Sequence, residues 1–282
     1  MGVVVQQSTL TALIHGESGV GKSDLADTIP GIRLVLDAEG GSEYCPSWPK
    51  QIWNPNYAPP GMQGCEPGFE QPAQTVRVIV QEWATWERVH YWLKTGMHPF
   101  TSVTLDSLTE IQKRCRDAIR GTDQMQTSHW GQLLIEMETA VRELRDLAKS
   151  PHNRLMNVII LALTGLKDDR GRPLVQGSLR DSLPGFVDVV GYMYTQTAAD
   201  GYTLTRNLMV QPYGMYVAKD RTKILTPLLS GSPEQPYGSG IIHIRDQNRP
   251  ELGGWTFNEA VQALETRYQA APAAQLTGGT NV

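Results

Sequence analysis

Apolar positions follow two rhythms along this chain. Short runs bounded by turn residues, at Leu10–His15, Arg33–Asp37, Val76–Val80, Ser102–Asp106, Asn157–Leu163 and Val187–Thr195, have the length and composition of strands. Between them, Trp83, Trp86, Val89 and Leu93 recur at helical spacing within Glu82–Lys94, as do Leu108, Ile111, Cys115 and Ile119 within Ser107–Arg120. Ser128–Lys149 reads as the longest helix. This alternation predicts an α/β fold, a mostly parallel central sheet with helices on both faces. The run Asn157-Val-Ile-Ile-Leu-Ala-Leu163 is apolar throughout, which places it in the middle of that sheet.

The remaining segments fit around this core. Val187–Thr195, Tyr202–Gln211 and Met215–Lys219, separated by Asp200-Gly201 and Pro212-Tyr-Gly214, predict an antiparallel extension within residues 196–250. Glu39–Gln74 is too long and too rich in Pro, Gly and aromatics for a passive connection, and reads as an ordered surface insertion. Its Trp48, Trp53, Tyr57 and Phe69 are expected to pack locally, because Glu43, Glu66 and Glu70 outnumber Lys50 there and disfavour base stacking. A helix near Thr256–Tyr268 closes a single domain over residues 1–268, and Gln269–Val282 has the composition of a disordered tail.

Composition narrows the setting. No apolar run approaches the ~20 residues of a membrane span, and Met1–Val5 lacks a signal-peptide pattern, so no membrane partner and a cytoplasmic location are expected. Cys45, Cys65 and Cys115 form no C-x-x-C pair, and the six histidines show no zinc spacing. The formal charge of −4 means that any contact with nucleic acid must be local.

The chemistry starts at Gly16-Glu17-Ser18-Gly19-Val20-Gly21-Lys22-Ser23, a complete G-x-x-x-x-G-K-[ST] phosphate loop between an apolar strand and Asp24-Leu-Ala-Asp27, read as the first turn of a helix. Its glycines let backbone N–H groups converge on phosphate oxygens, helped by the helix N-terminus and Lys22. Residues 16–24 are therefore the expected nucleoside-triphosphate site, with Ser23 a ligand to Mg²⁺, and the resemblance drawn below implies that the nucleotide is ATP. Asp106, delivered by an apolar strand to the same sheet edge, is the second expected metal residue; its competing role is to cap the helix that follows. Asp37-Ala-Glu39 ends the next strand, and Glu39 is the candidate base for the attacking water.

With Asp37-Ala-Glu39-Gly40 the chain resembles the RecA-like recombinase ATPases, whose second strand ends in Asp-x-Glu-Gly, and in particular the bacteriophage RecA-like proteins that include single-strand-annealing ATPases. The resemblance runs in order over roughly residues 8–225. It implies a RecA-like P-loop NTPase core, Glu39 as catalytic base, Thr164 as the polar sensor after the Asn157–Leu163 strand, and Pro184-Gly-Phe-Val-Asp188 as the lead into the next strand. Lys219-Asp-Arg221 is similar to the K-x-R element with which such ATPases reach a neighbour's triphosphate, implying self-association into a ring or filament. Thr164 departs from the longer glutamine or histidine common among recombinases.

The same resemblance implies single-stranded DNA as partner, with a single-strand-binding protein as a possible second one. DNA-contacting loops are expected at Arg120–Trp130 and at Gly165–Ser182, where Lys167, Arg170, Arg172 and Arg180 face three aspartates. A ring motor, helicase or packaging ATPase, would use the same core. A GTPase switch fits less well, since Leu166 replaces the asparagine of N-K-x-D and only 15 residues separate Lys22 from Asp37.

Overall fold

The computed structural model describes residues 9–47, 50–149, 156–167, 169–197, 200–212, 215–225, 241–245 and 254–269. In chain order these form β1 (Thr11–Gly16), α1 (Lys22–Ala26), β2 (Arg33–Asp37), β3 (Lys50–Ile52), β4 (Thr75–Ile79), α2 (Trp83–Thr95), β5 (Ser102–Asp106) and α3 (Leu108–Arg120). There follow α4 (Thr127–Leu147), β6 (Asn157–Lys167), β7 (Arg170–Pro173), α5 (Leu179–Phe186), β8 (Val189–Thr197), β9 (Leu204–Met209), β10 (Lys219–Asp220), β11 (Ile241–Ile244) and α6 (Phe257–Gln269).

The strands make one sheet in the order β11-β9-β8-β1-β6-β5-β2-β4-β3. From β8 to β3 every neighbouring pair is parallel, whereas β9, β10 and β11 add antiparallel on the far side of β8. The apolar run starting at Asn157 lies between β1 and β5, in the middle of the sheet as its composition requires. Helices cover both faces. Leu133, Met137, Val141 and Leu144 of α4 join α2, α3 and α5 over one, and Leu25 of α1 with Phe257, Val261 and Leu264 of α6 cover the other. Because β1, β2, β5 and β6 run the same way, Gly16 aligns with Leu163 and Asp37 with Asp106, so their C-terminal ends share one edge. Among the described residues no helix is long and apolar enough to cross a membrane.

Several elements differ from the sequence expectations. The helix after the phosphate loop is five residues long, because Pro30 cannot continue it and Gly31, at φ +85°, reverses the chain. Gly165–Ser182 is not a loop: β6 runs on to Lys167, pairs antiparallel with β7, and the chain then enters α5. Met215–Lys219 is not a continuous strand either. Tyr216 bridges to Gly171 and stacks on Tyr192 with ring centroids 3.7 Å apart, and only Lys219 and Asp220 pair with β8. The 39–74 insertion contributes a three-residue strand, β3, and buries Trp53 against Phe100. Trp48, the turn at Tyr213-Gly214, the tail beyond Gln269 and much of the 196–250 extension lie outside the described residues.

Candidate active site

The phosphate loop leaves β1 at Gly16, where a side chain is impossible: a Cβ would lie 2.4 Å from the Met193 carbonyl oxygen of β8. Glu17, Ser18 and Gly19 stay exposed, Val20 turns into the core, and Gly21, at φ +94°, opens α1. Lys22 is folded over the loop, its Nζ donating to the carbonyls of Gly16 at 3.1 Å and Glu17 at 2.7 Å. Burial holds its ammonium below the usual lysine range, an effect countered by the negative charges of Asp106 and Glu39.

Ser23 Oγ donates to Asp106 Oδ2 at 2.5 Å, joining the loop to the end of β5. The helix after β5 is capped by Ser107, whose Oγ accepts from the Glu110 N–H, so Asp106 is not needed as a cap. Ser107 Oγ also donates to Glu39 Oε1, which brings the end of β2 to the same point. Asp106 is 4% exposed, and burial first, then the charges of Glu39 and Asp37, push its carboxyl up to about 6 against the lowering effect of the Ser23 bond and Lys22. A nearly buried carboxylate, a primary hydroxyl and an adjacent exposed glutamate form an all-oxygen donor set, suited to a hard divalent cation that takes its remaining ligands from phosphate and water. Among the described residues no three His, Cys, Asp or Glu side chains cluster as a complete metal site. Such completion by substrate is the mode that Mg²⁺ prefers.

A second network fixes the strand end that carries Glu39. Asp37 accepts from Gly40 N at 2.6 Å, from Ser42 Oγ and from Arg77 Nη2 at 2.7 Å, while Arg77 Nε donates to Ser42 Oγ at 2.8 Å. Asp37 and Arg77 are both buried. The first carboxylate of Asp37-Ala-Glu39 therefore holds the turn, and the second reaches the site.

Two residues at this edge carry no sequence signal of their own. Arg206 of β9 pairs with Asp24 at 3.1 Å and lies against the loop so closely that a Cβ on Gly21 would meet its Cζ at 2.9 Å. His15, fully buried on β1, contacts Thr164 Oγ1 through Nδ1 at 2.9 Å and the Val217 carbonyl through Nε2 at 2.8 Å.

The remaining candidates are elsewhere. Lys219 pairs with Val190, level with Leu13 of β1, and so sits about 10 Å below Gly16 toward the opposite end of the sheet. Its Nζ donates to the Pro184 carbonyl, and Arg221 donates to the Gly185 carbonyl at 3.2 Å and approaches Asp188 at 3.7 Å. The Pro184–Asp188 stretch thus holds both cations away from this chain's own phosphate loop. Of the four basic residues expected to face DNA, Arg172 pairs with Asp181, Arg180 Nε donates to the Val175 carbonyl at 3.1 Å, and Arg170 is exposed on β7. The Lys167 side chain lies outside the described residues. His129 and Trp130 of the other expected loop belong to the first turn of α4.

Residues 8–222 match a family model described as an AAA domain. No curated protein matches the chain. Among solved structures, it is similar to an ATPase from the type III secretion system of pathogenic bacteria, at 15% identity over 66% of this chain and 52% of that one, with a TM-score of 0.40. It is also similar to the RadB recombinase, at 15% identity over 71% of this chain and 79% of that one, again with a TM-score of 0.40. The chain spans about half the length of the secretion ATPase.

Proposed function

Because this chain belongs to the AAA-domain family of P-loop ATPases, we propose that it is a Mg²⁺-dependent ATPase that acts on single-stranded DNA. The observation that carries the enzymatic half is the convergence of Lys22, Ser23, Asp106 and Glu39 on one sheet edge, with Ser23 and Asp106 in contact at 2.5 Å. In this reading the backbone of residues 16–24 cradles the phosphates and Lys22 swings from the Gly16 and Glu17 carbonyls to the β- and γ-phosphate oxygens. Ser23 and Asp106 would hold Mg²⁺, which would supply positive charge against the charge that develops on the phosphates. Glu39, held by Ser107, takes a proton from the attacking water as its oxygen bonds to the γ-phosphorus and the bond to the β-phosphate oxygen breaks, releasing ADP. The resemblance makes Thr164 the residue that senses the γ-phosphate.

The DNA half rests on the resemblance to bacteriophage RecA-like annealing proteins. It assigns recombination by single-strand annealing, a ring or filament in which Lys219 and Arg221 reach the neighbour's triphosphate, and a DNA contact at the β6–β7 hairpin and α5 through Lys167, Arg170, Arg172 and Arg180. Their partners, Asp181 for Arg172 and the Val175 carbonyl for Arg180, must then be exchanged for phosphate on binding.

The test is ATP and GTP hydrolysis with and without single-stranded DNA, at two protein and two salt concentrations. ATP-selective turnover that rises with DNA and with protein concentration, and loses the DNA effect at high salt, is expected. Turnover indifferent to DNA removes the DNA half and leaves the ATPase; no turnover of either nucleotide removes both.

A further inference from the structure

The hydrogen bonds around His15 fix which way the Thr164 hydroxyl points its proton. His15 is 0% exposed, and its Nε2 lies 2.8 Å from the Val217 carbonyl oxygen, a group that can only accept. Nε2 therefore carries a proton. A neutral imidazole has one N–H, so Nδ1 is a bare lone pair, and the group 2.9 Å from it, Thr164 Oγ1, has to donate. Burial and the nearby charge of Lys22 keep the ring neutral, lowering its pKa to about 4. The tilted Tyr192 ring, 5.4 Å away between centroids, closes another side of the imidazole without supplying a charge.

Thr164 lies one residue beyond Leu163, which pairs with Gly16 at the start of the phosphate loop, and it is partly exposed at the edge where Lys22, Asp106 and Glu39 converge. A hydroxyl has a single proton, and here it is directed into the protein. We infer that Thr164 presents only oxygen lone pairs to the nucleotide site, accepting a hydrogen bond from the attacking water, with His15 as the positioning residue that enforces this polarity. The inference rests on the ATPase reading above and changes one part of it: Thr164 does not donate to the γ-phosphate. A water with one proton directed at Glu39 and the other at Thr164 has its nucleophilic lone pair turned to phosphorus, a constraint that acts on turnover and not on triphosphate affinity.

Two measurements test this together. In wild-type protein labelled with ¹⁵N-histidine, and assigned against His15→Gln, the His15 ring is expected as the Nε2–H tautomer between pH 6 and 8; an Nδ1–H tautomer or a cationic ring overturns the inference. In Thr164→Val, kcat is expected to fall about 10- to 100-fold, while the ratio of affinities for a non-hydrolysable ATP analogue and ADP stays within a factor of two of wild type. ADP binding reports that the variant is folded, and Thr164→Ser is expected to recover most of the lost turnover. A tenfold loss of preference for the triphosphate analogue shows a hydroxyl that donates to γ-phosphate and overturns the inference, as does wild-type turnover in Thr164→Val. Wild-type protein that shows the Nε2–H tautomer but no ATP hydrolysis overturns the ATPase reading itself, and the inference with it.

Discussion

Ser23 Oγ and Asp106 Oδ2 are 2.5 Å apart, although 83 residues separate them in the chain. That contact ties the phosphate loop to the end of β5 and leaves a nearly buried carboxylate with a neutral hydroxyl as its nearest donor. Asp106 has a folded pKa of about 6 against an ordinary 3.8, so between those values the folded state holds a proton that the unfolded state has released. Its stabilising contribution is complete below about pH 4 and is lost as pH rises through about 6, amounting to at most about 3 kcal/mol.

Asp106→Asn is therefore expected to melt above wild type at pH 8 in chelator, with the difference vanishing near pH 4, and to lose the stabilisation that Mg²⁺ and ATP together give wild type. Thermal melts across pH 4–8 measure it. Equal melting of the two proteins at pH 8 contradicts a burial cost for this ionised carboxylate.

Arg77 and Asp37 form a buried ion pair at 2.7 Å, and Arg77→Met leaves the aspartate uncompensated. A loss of about 3–5 kcal/mol in urea unfolding is expected. Adding Asp37→Asn should recover most of that stability. Turnover should stay low in the double variant, because the Gly40 N–H loses a charged acceptor and the turn that carries Glu39 loosens.

Arg206 neutralises Asp24 beside the loop. In Arg206→Ala the positive charge opposite Asp24 is gone, and ADP and ATP are both expected to bind about tenfold or more weakly, in line with the loss of a charge-assisted hydrogen bond. The added Asp24→Asn change should restore much of the affinity. Unchanged nucleotide binding in Arg206→Ala would place the arginine outside the site.

Arg221 lies toward the sheet end opposite its own phosphate loop, so any contact with a triphosphate must be with a neighbouring copy. Arg221→Ala is expected to lower turnover about 10-fold or more while leaving ATP affinity in place, and wild-type turnover per molecule should rise with protein concentration. Equal rates for both proteins at every concentration remove the intersubunit role.

What the sequence revealed of this site was what adjacent residues spell. The phosphate loop and Asp37-Ala-Glu39 are contiguous, and Asp106 ends a strand whose apolar run is plain, so their placement on one edge followed from parallel strands alone. The Arg206–Asp24, His15–Thr164 and Arg77–Asp37 contacts span 182, 149 and 40 residues, and no local pattern encodes them. Lengths failed for the same reason. β3 is three residues held by its partner β4, and β6 overruns its apolar stretch because β7 folds back on it. The basic residues of Gly165–Ser182 are not available as a free patch, because Asp181 of α5 pairs with Arg172 and the Val175 carbonyl, in the connection between β7 and α5, accepts from Arg180.

The most direct test of the central claim, that this sheet edge hydrolyses ATP with Glu39 as base, is a comparison of wild type with Glu39→Gln by ATP binding and single-turnover hydrolysis in Mg²⁺. Glu39→Gln should bind Mg²⁺ and ATP with wild-type affinity and hydrolyse it on the order of 10²-fold more slowly or worse. Hydrolysis by Glu39→Gln at the wild-type rate would contradict the account.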